Sequence, residues 1–359
     1  MLYLLMLVAL LGVAVFLLLR LPVFGAAATG ERLARMQRSP NYRDGTFRYP
    51  LETPVMDPNA SYWALFRAYL KPVPNRDPDR PLPSVKTDLN ALADGSVVWF
   101  GHSSYLLRLD GRTLLVDPVF SGQASPVPGL GAKAYPGTGV YSVADLPRID
   151  AVVITHNHYD HLDYETIRQL ISKTGTFHTA LGVGADLEHW GVPASAIREY
   201  DWHEGGPLAD GFRLTAVPAR HFSGRGLTRN QTLWTAFVLQ TPTYRLFLGG
   251  DSGYGPHFRQ IGDRFGPFDL ALLEAGQYNE AWALIHLMPE ETVRAAADLR
   301  ARWLLPVHWG KFTLALHPWT EPVERVLKQA ETASVNVTTP RIGEPVQLGR
   351  TYPRQPWWR

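Results

Sequence analysis

No charged side chain interrupts the chain from Met1 to Leu19. As a helix this run would be about 28 Å long, close to the roughly 30 Å hydrocarbon core of a bilayer. It predicts a transmembrane anchor over residues 1–20. A cleaved signal peptide ending near Ala26-Ala27-Ala28 is the rival, disfavoured because no Lys or Arg precedes the run. A buried core helix is a further alternative, disfavoured because such a helix seldom lacks a polar face. Arg20, Arg32, Arg35 and Arg38 follow, and the positive-inside rule then puts the N-terminus outside and the remaining chain on the cytoplasmic side of an inner membrane. Residues 21–94 read as an irregular lead-in or cap. Within it, Ser61 to Leu70 carries Tyr62, Trp63, Leu65, Phe66, Tyr69 and Leu70 among few polar residues, a short amphipathic helix before a Pro-rich run from Lys71 to Pro83. This helix is expected to pack against the main body; capping a pocket or lying on lipid are the alternatives.

From Val97 onward short apolar runs alternate with polar loops. Val97–Phe100, Tyr105–Leu109 and Arg112–Val116 have strand character, the last two joined by the hairpin turn Asp110-Gly111. Ala151–Ile154 reads as a buried strand, and Asp163 as the N-cap of a helix with Tyr164, Ile167, Leu170 and Ile171 on one face. Strands are predicted at 212–217, 235–240, 244–248, 270–273 and 303–307, and helices at 256–265, 289–301 and 321–332. Hairpins come early and strand–helix alternation later. That order predicts an α/β body over 95–345, two sheets packed together with helices outside. Residues 346–359 form a tail, in which Trp357 and Trp358 beside Arg354 and Arg359 suggest an interfacial anchor or a frayed end.

Composition narrows the chemistry. The 359 residues are 45% hydrophobic and 19% charged, which fits a globular chain with a full core and excludes a disordered one. With 35 basic against 33 acidic residues, no excess of positive charge points to nucleic acid. There is no cysteine. Disulfides, thiol nucleophiles and thiolate metal sites are therefore excluded, and any transition metal must be held by His, Asp or Glu. Oligomeric state is not legible in the pattern.

Metal-ligand types concentrate directly after the strand at 151–154, in His156-Asn157-His158-Tyr159-Asp160-His161. His156 and His158 can converge on one ion from a tight loop while Asp160 and His161 point at a second. Three later residues share one context, a polar ligand at the end of an apolar strand: His221, Asp251 after Gly249-Gly250, and His308. A lone strand-end histidine is more often structural; their recurrence favours metal.

The HNHYDH block resembles the HxHxDH signature of the metallo-β-lactamase superfamily, whose fold is a four-layer αβ/βα sandwich. Gly101-His102-Ser103, Asp117-Pro118-Val119-Phe120, Gly250-Asp251-Ser252-Gly253-Tyr254, Phe265 to Leu270 and His308-Trp309-Gly310 further resemble the N-acyl phosphatidylethanolamine-hydrolysing phospholipase D-like, or RomA-like, bacterial subgroup. The match spans about residues 95–345. The resemblance implies one zinc on His156, His158 and His221, a second on Asp160, His161 and His308, and Asp251 bridging both. Iron or manganese would suit the same ligands. Paired divalent ions can share a hydroxide of lowered pKa that attacks phosphorus without a side-chain nucleophile.

Asp117 could accept from a ligating imidazole or cap a turn before Pro118, and His102 could orient the site or bond backbone. The resemblance also implies a substrate-side role for His286, binding phosphate or assisting the leaving group. His178, His189, His203, His257 and His317 read as structural or solvated. The expectation is a membrane-anchored dinuclear zinc hydrolase acting on a phosphodiester, plausibly a membrane lipid, with Asp160, Asp251, His286 and Asp117 as its catalytic set. A lactonase or other ester hydrolase, and a non-catalytic metal-stabilised binding protein, are the alternatives. The segment Glu274 to Asn279 departs from the animal phospholipase near its site, so lipid specificity does not follow from the resemblance alone.

Overall fold

The computed structural model describes every residue except Pro128, with Leu2 described by its backbone alone. Period-two alternation builds two sheets. The first contains seven strands in the spatial order Pro345–Gln347, Ser96–Trp99, Tyr105–Leu109, Arg112–Val116, Ile149–Ile154, Thr174–Ala180 and Ile197–Tyr200. The second contains six, ordered Leu304–Val307, Leu270–Glu274, Arg245–Leu248, Ala236–Gln240, Phe212–Val217 and Gly205–Ala209. The parallel pairs are joined by longer connections, four of the five carrying an α-helix, and the remaining pairs are antiparallel.

Val97, Leu107, Leu114 and Val153 from the first sheet meet Leu214, Phe237, Leu246 and Leu272 from the second in a buried layer between them. One residue along, Val98, Leu106, Leu115, Val152, Phe247 and Leu273 turn to the opposite faces, as the pleat requires. There they pack beneath helices. In chain order the helices are α1 (Leu2–Leu18), α2 (Gly30–Arg38), α3 (Tyr62–Tyr69), α4 (Tyr164–Leu170), α5 (Gly184–His189), α6 (His257–Phe265), α7 (Pro289–Asp298) and α8 (Glu321–Ala333). Helices α4 and α5 follow strands of the first sheet and α6 to α8 strands of the second. The result is the helix–sheet–sheet–helix arrangement expected.

Four expectations are corrected. The anchor expected over 1–20 is a helix of 17 residues, about 26 Å long, that stops at Leu18 before Pro22 begins a 3-10 turn. Among the described residues no helix is long and apolar enough to cross a membrane. The lead-in is more ordered than expected: α2 and the ribbon Tyr42–Arg43/Thr46–Phe47 insert Met36 and Phe47 into the outer core. Helix α3 forms where expected but leaves Tyr62, Trp63, Phe66 and Leu70 exposed, so its aromatic face does not pack on the body. The tail is neither frayed nor an anchor: Trp358 is buried, its indole N–H donating to Glu324 at 2.7 Å, and Trp357 stacks on Trp309.

Asp163 precedes α4 as expected, yet it makes no cap bond. Its Oδ2 instead accepts from the Ser121 N–H at 2.9 Å and from the Thr166 hydroxyl, tying the loop after Val116 to the helix.

Candidate metal centre

Every residue of the expected cluster lies beyond the C-terminal end of a strand. Ile149–Ile154 delivers the 156–161 loop, which folds back at once: the His161 and Leu162 N–H groups donate to the His158 carbonyl at 3.1 and 2.8 Å. Phe212–Val217 leads to His221, Arg245–Leu248 to Asp251 and Leu304–Val307 to His308. Packing the sheets face to face brings these ends together.

The seven side chains form two groups joined by one carboxylate. His158 Nδ1 is 2.9 Å from His156 Nε2 and 3.2 Å from His221 Nε2. Asp160 Oδ2 is 3.6 Å from His161 Nε2 and 3.4 Å from His308 Nε2. Asp251 lies between the groups, with Oδ1 3.2 Å from His161 Nε2, and Oδ2 3.1 Å from His308 Nε2, 3.7 Å from His221 Nε2 and 3.9 Å from His156 Nε2.

Residues outside the cluster fix which imidazole nitrogen faces inward. The outer nitrogen of His161 donates to Asp117 at 2.8 Å, that of His221 to the Ile285 carbonyl at 2.8 Å, and that of His308 to the Gly276 carbonyl at 3.2 Å. The Nε2 of each is thereby the nitrogen turned toward the centre, the arrangement typical of metal-ligating histidines. His161 Nε2, His308 Nε2 and Asp251 Oδ1 are buried without a hydrogen-bond partner. Such orphaned atoms are costly unless a ligand satisfies them, and imidazole with carboxylate suits zinc, iron or manganese. The residues present fit a metal pair.

Electrostatics agree. Burial alone would raise the Asp160 and Asp251 carboxyls, but His161, with His102 beside Asp160 and His308 beside Asp251, more than offsets it and holds both well below the ordinary range. Burial likewise disfavours a charged His308, yet Asp251 and Asp160 push it up to about 10. The same two carboxylates raise His161 well above its usual value against burial. His156 and His221, dominated by burial, fall well below it. The centre attracts positive charge.

Asp117 resolves one open alternative. Its Oδ2 accepts from His161 Nδ1 and from the Thr155 hydroxyl, and its Oδ1 from the Thr155 N–H, so it faces the cluster and caps no turn. His102 Nε2 lies 2.9 Å from Asp160 Oδ2, and burial followed by the neighbouring His308 lowers it to about 3. His102, Asp117 and His308 all adopt positive φ, at 52°, 40° and 65°. Such strained conformations cluster at functional sites. Gly276 is there for space: a Cβ would lie 2.4 Å from the His308 carbonyl oxygen.

His286 lines the cavity over the cluster, its Nδ1 4.0 Å from Asp251 Oδ2. Glu274 holds it from behind, Oε2 2.6 Å from His286 Nδ1, while Oε1 accepts from the Ser252 and Leu287 N–H groups. Glu274 was not singled out from the sequence. Its signal was nonetheless there: an acid ending the apolar strand Leu270–Glu274, the same context as the other strand-end ligands. The cavity measures about 260 Å³, with His158, Asp160 and Asp251 at its polar floor and Met56, Phe222, Trp282 and Ile285 in its apolar wall.

The five histidines set aside lie elsewhere. His178 bonds Thr176 and Tyr200, His257 bonds Tyr49 and Ser252, and His317 accepts from the Gln277 N–H. His203 lies in a turn whose N–H bonds the Ala216 carbonyl, and His189 ends α5 on the surface.

Comparison with known proteins points the same way. Residues 112–309 match the family model described as beta-lactamase superfamily domain. An uncharacterised protein of Mycobacterium tuberculosis is 44% identical over 352 residues, covering 93% of this chain and 91% of that one. Outer membrane protein RomA of Klebsiella pneumoniae is 58% identical over 105 residues, 29% of this chain and 80% of its own. N-acyl-phosphatidylethanolamine-hydrolyzing phospholipase D 1 of Caenorhabditis elegans is 31% identical over 228 residues, 60% and 64% of the two chains. Among solved structures, the metallo hydrolase Igni18 of Ignicoccus hospitalis superposes with a TM-score of 0.54 at 22% identity, over 70% of this chain and 97% of that one. With its strand-end cluster and two-sheet fold, the chain belongs to the metallo-β-lactamase superfamily and is a metal-dependent hydrolase of that superfamily.

Proposed function

We propose that the protein hydrolyses phosphodiesters at a dinuclear zinc centre, with a membrane lipid of the N-acyl phosphatidylethanolamine type as the substrate class. The observation that carries this reading is the division of seven candidate ligands, five buried and His158 and Asp160 partly so, into two groups about Asp251 beneath an apolar-walled cavity. His156, His158 and His221 would hold one ion and Asp160, His161 and His308 the other, with Asp251 shared. When bound, such a pair supplies an activated water and neutralises the charge of a phosphoryl group.

The chain's own residues do the rest. Asp117 fixes the His161 tautomer, and His102 steadies Asp160. His286, oriented by Glu274 through Nδ1, lines the cavity, where it would hydrogen-bond a phosphate or leaving-group oxygen. Met56, Phe222, Trp282 and Ile285 offer an apolar surface to acyl chain while excluding water from the reacting centre. Attachment to a lipid phase is supported by α1, whose described side chains are all exposed and apolar, and by the similarity to RomA and to the phospholipase.

The test is turnover of bis-p-nitrophenyl phosphate and of purified lipids by protein of measured metal content, beside Asp251→Ala. Metal-dependent phosphodiester cleavage that falls to background in the variant is expected. Turnover of lactones alone would replace the phosphodiesterase reading with a lactonase. No turnover with two metals bound would leave a metal-stabilised binding protein.

A further inference from the structure

Helix α3 has an aromatic face that the body does not cover. Trp63 and Phe66 are 65% and 52% exposed and stack on each other at 5.6 Å between centroids, and Leu70 one turn on is 69% exposed. Burying these side chains only against one another leaves most of their apolar area in water, which a folded chain seldom tolerates in a contiguous patch. The helix is nonetheless fixed in place. Ser61 caps it, accepting from the Ala64 N–H at 3.2 Å, and Tyr62 together with Met56 just upstream lines the cavity above the metal cluster. The patch thus continues the apolar cavity wall outward onto the surface.

Charge indicates what covers it. From Pro58 to Arg76 there is no acidic residue, while Arg67, Lys71 and Arg76 are present, and none of the three forms an ion pair among the described residues. A protein partner or a second copy would need an acidic, concave complement, and an aromatic face flanked by unpaired cations is instead the chemistry of a helix lying in the headgroup region of an anionic bilayer. We propose that the aromatic face of α3 docks on an anionic phospholipid surface and so sets the mouth of the catalytic cavity against the lipid. The proposal rests on the reading of the site as a lipid hydrolase and adds where the bilayer lies.

Because the chain has no cysteine, one introduced thiol can be labelled uniquely. The full chain carrying Phe66→Cys with an environment-sensitive fluorophore is mixed with vesicles of phosphatidylcholine containing about a third phosphatidylglycerol; Ser195→Cys, exposed beside the edge strand Ile197–Tyr200, is the control. A blue shift is expected at position 66 with anionic vesicles, smaller with pure phosphatidylcholine and absent at position 195. An unshifted label on protein that sediments with the vesicles would overturn the proposal, since α1 alone would then make the contact. So would failure to bind, an equal response to neutral vesicles, or a shift that grows with protein concentration without lipid, the mark of a second copy. Turnover of bis-p-nitrophenyl phosphate by the same labelled protein separates the two ideas: activity with no shift removes only the docking, and an inactive wild type removes the hydrolase reading.

Discussion

Glu274 shows how one buried side chain can set the orientation of another that lines the cavity. It is fully buried, and burial raises its pKa, with His286 the largest opposing influence. The hydrogen-bond partners of its carboxylate are the Ser252 and Leu287 N–H groups and His286 Nδ1, and His308 Nδ1 lies 3.6 Å from its Oε2. Glu274→Gln keeps the volume and the backbone bonds but presents an amide to an imidazole that needs an acceptor, so His286 turns or changes tautomer. By analogy with other partners that orient a site histidine, kcat should fall about 10- to 100-fold. KM and bound metal should hold, because no ligand is removed; loss of metal in the variant would mean that Glu274 supports the cluster itself.

The C-terminal segment is the element whose role the linear pattern misrepresented. Two tryptophans beside arginines look like an interfacial belt, but Trp357 stacks on Trp309 at 5.3 Å, Trp309 stacks on Trp99 at 5.5 Å, and Trp358 meets Trp309 edge-on. Trp309 directly follows His308 of the cluster, so the tail braces one corner of it from the layer between the sheets. Truncating a buried tryptophan to alanine costs about 3–5 kcal/mol. Trp358→Ala should therefore shift the urea midpoint down by an amount in that range once multiplied by the slope. Arg359→Ala, which removes only a surface ion pair with Glu324, should leave it nearly unchanged.

Taken together, the molecule buries histidines that serve no cluster, and this sets an acid limit on its stability. Burial, the largest cause, lowers His178 to about 4 and His257 to about 3, with Arg198 and Arg220 acting in the same direction. In the unfolded chain each takes up a proton near pH 6.5. The unfolded state thus binds more protons between that value and the folded pKa, and stability falls as pH drops through this window. Melting temperature should decline from pH 7 toward pH 4. His178→Gln, which cannot protonate but can still bond Thr176 or Tyr200, should show a shallower decline than the parent. An unchanged slope would assign the acid sensitivity to the metal ligands alone.

Much of this protein follows from the linear order of its residues. Strand positions in the body, the hairpin-then-helix order, the exclusion of thiol chemistry and the seven strand-end candidate ligands all depend on local periodicity or on side-chain type, which a single chain displays directly. The strands Thr174–Ala180, inside the first sheet, and Gly205–Ala209, at an edge of the second, are rich in Thr and Gly, lack that periodicity and form because a neighbouring strand offers a ladder. Tertiary structure alone settled which faces of α3 and the tail meet protein, that Asp117 turns toward His161, and that Glu274 stands behind His286. Those outcomes depend on what lies opposite a side chain in space, on burial and on the partner left for each polar atom. Contacts between residues dozens to hundreds of positions apart leave no periodic trace in the sequence.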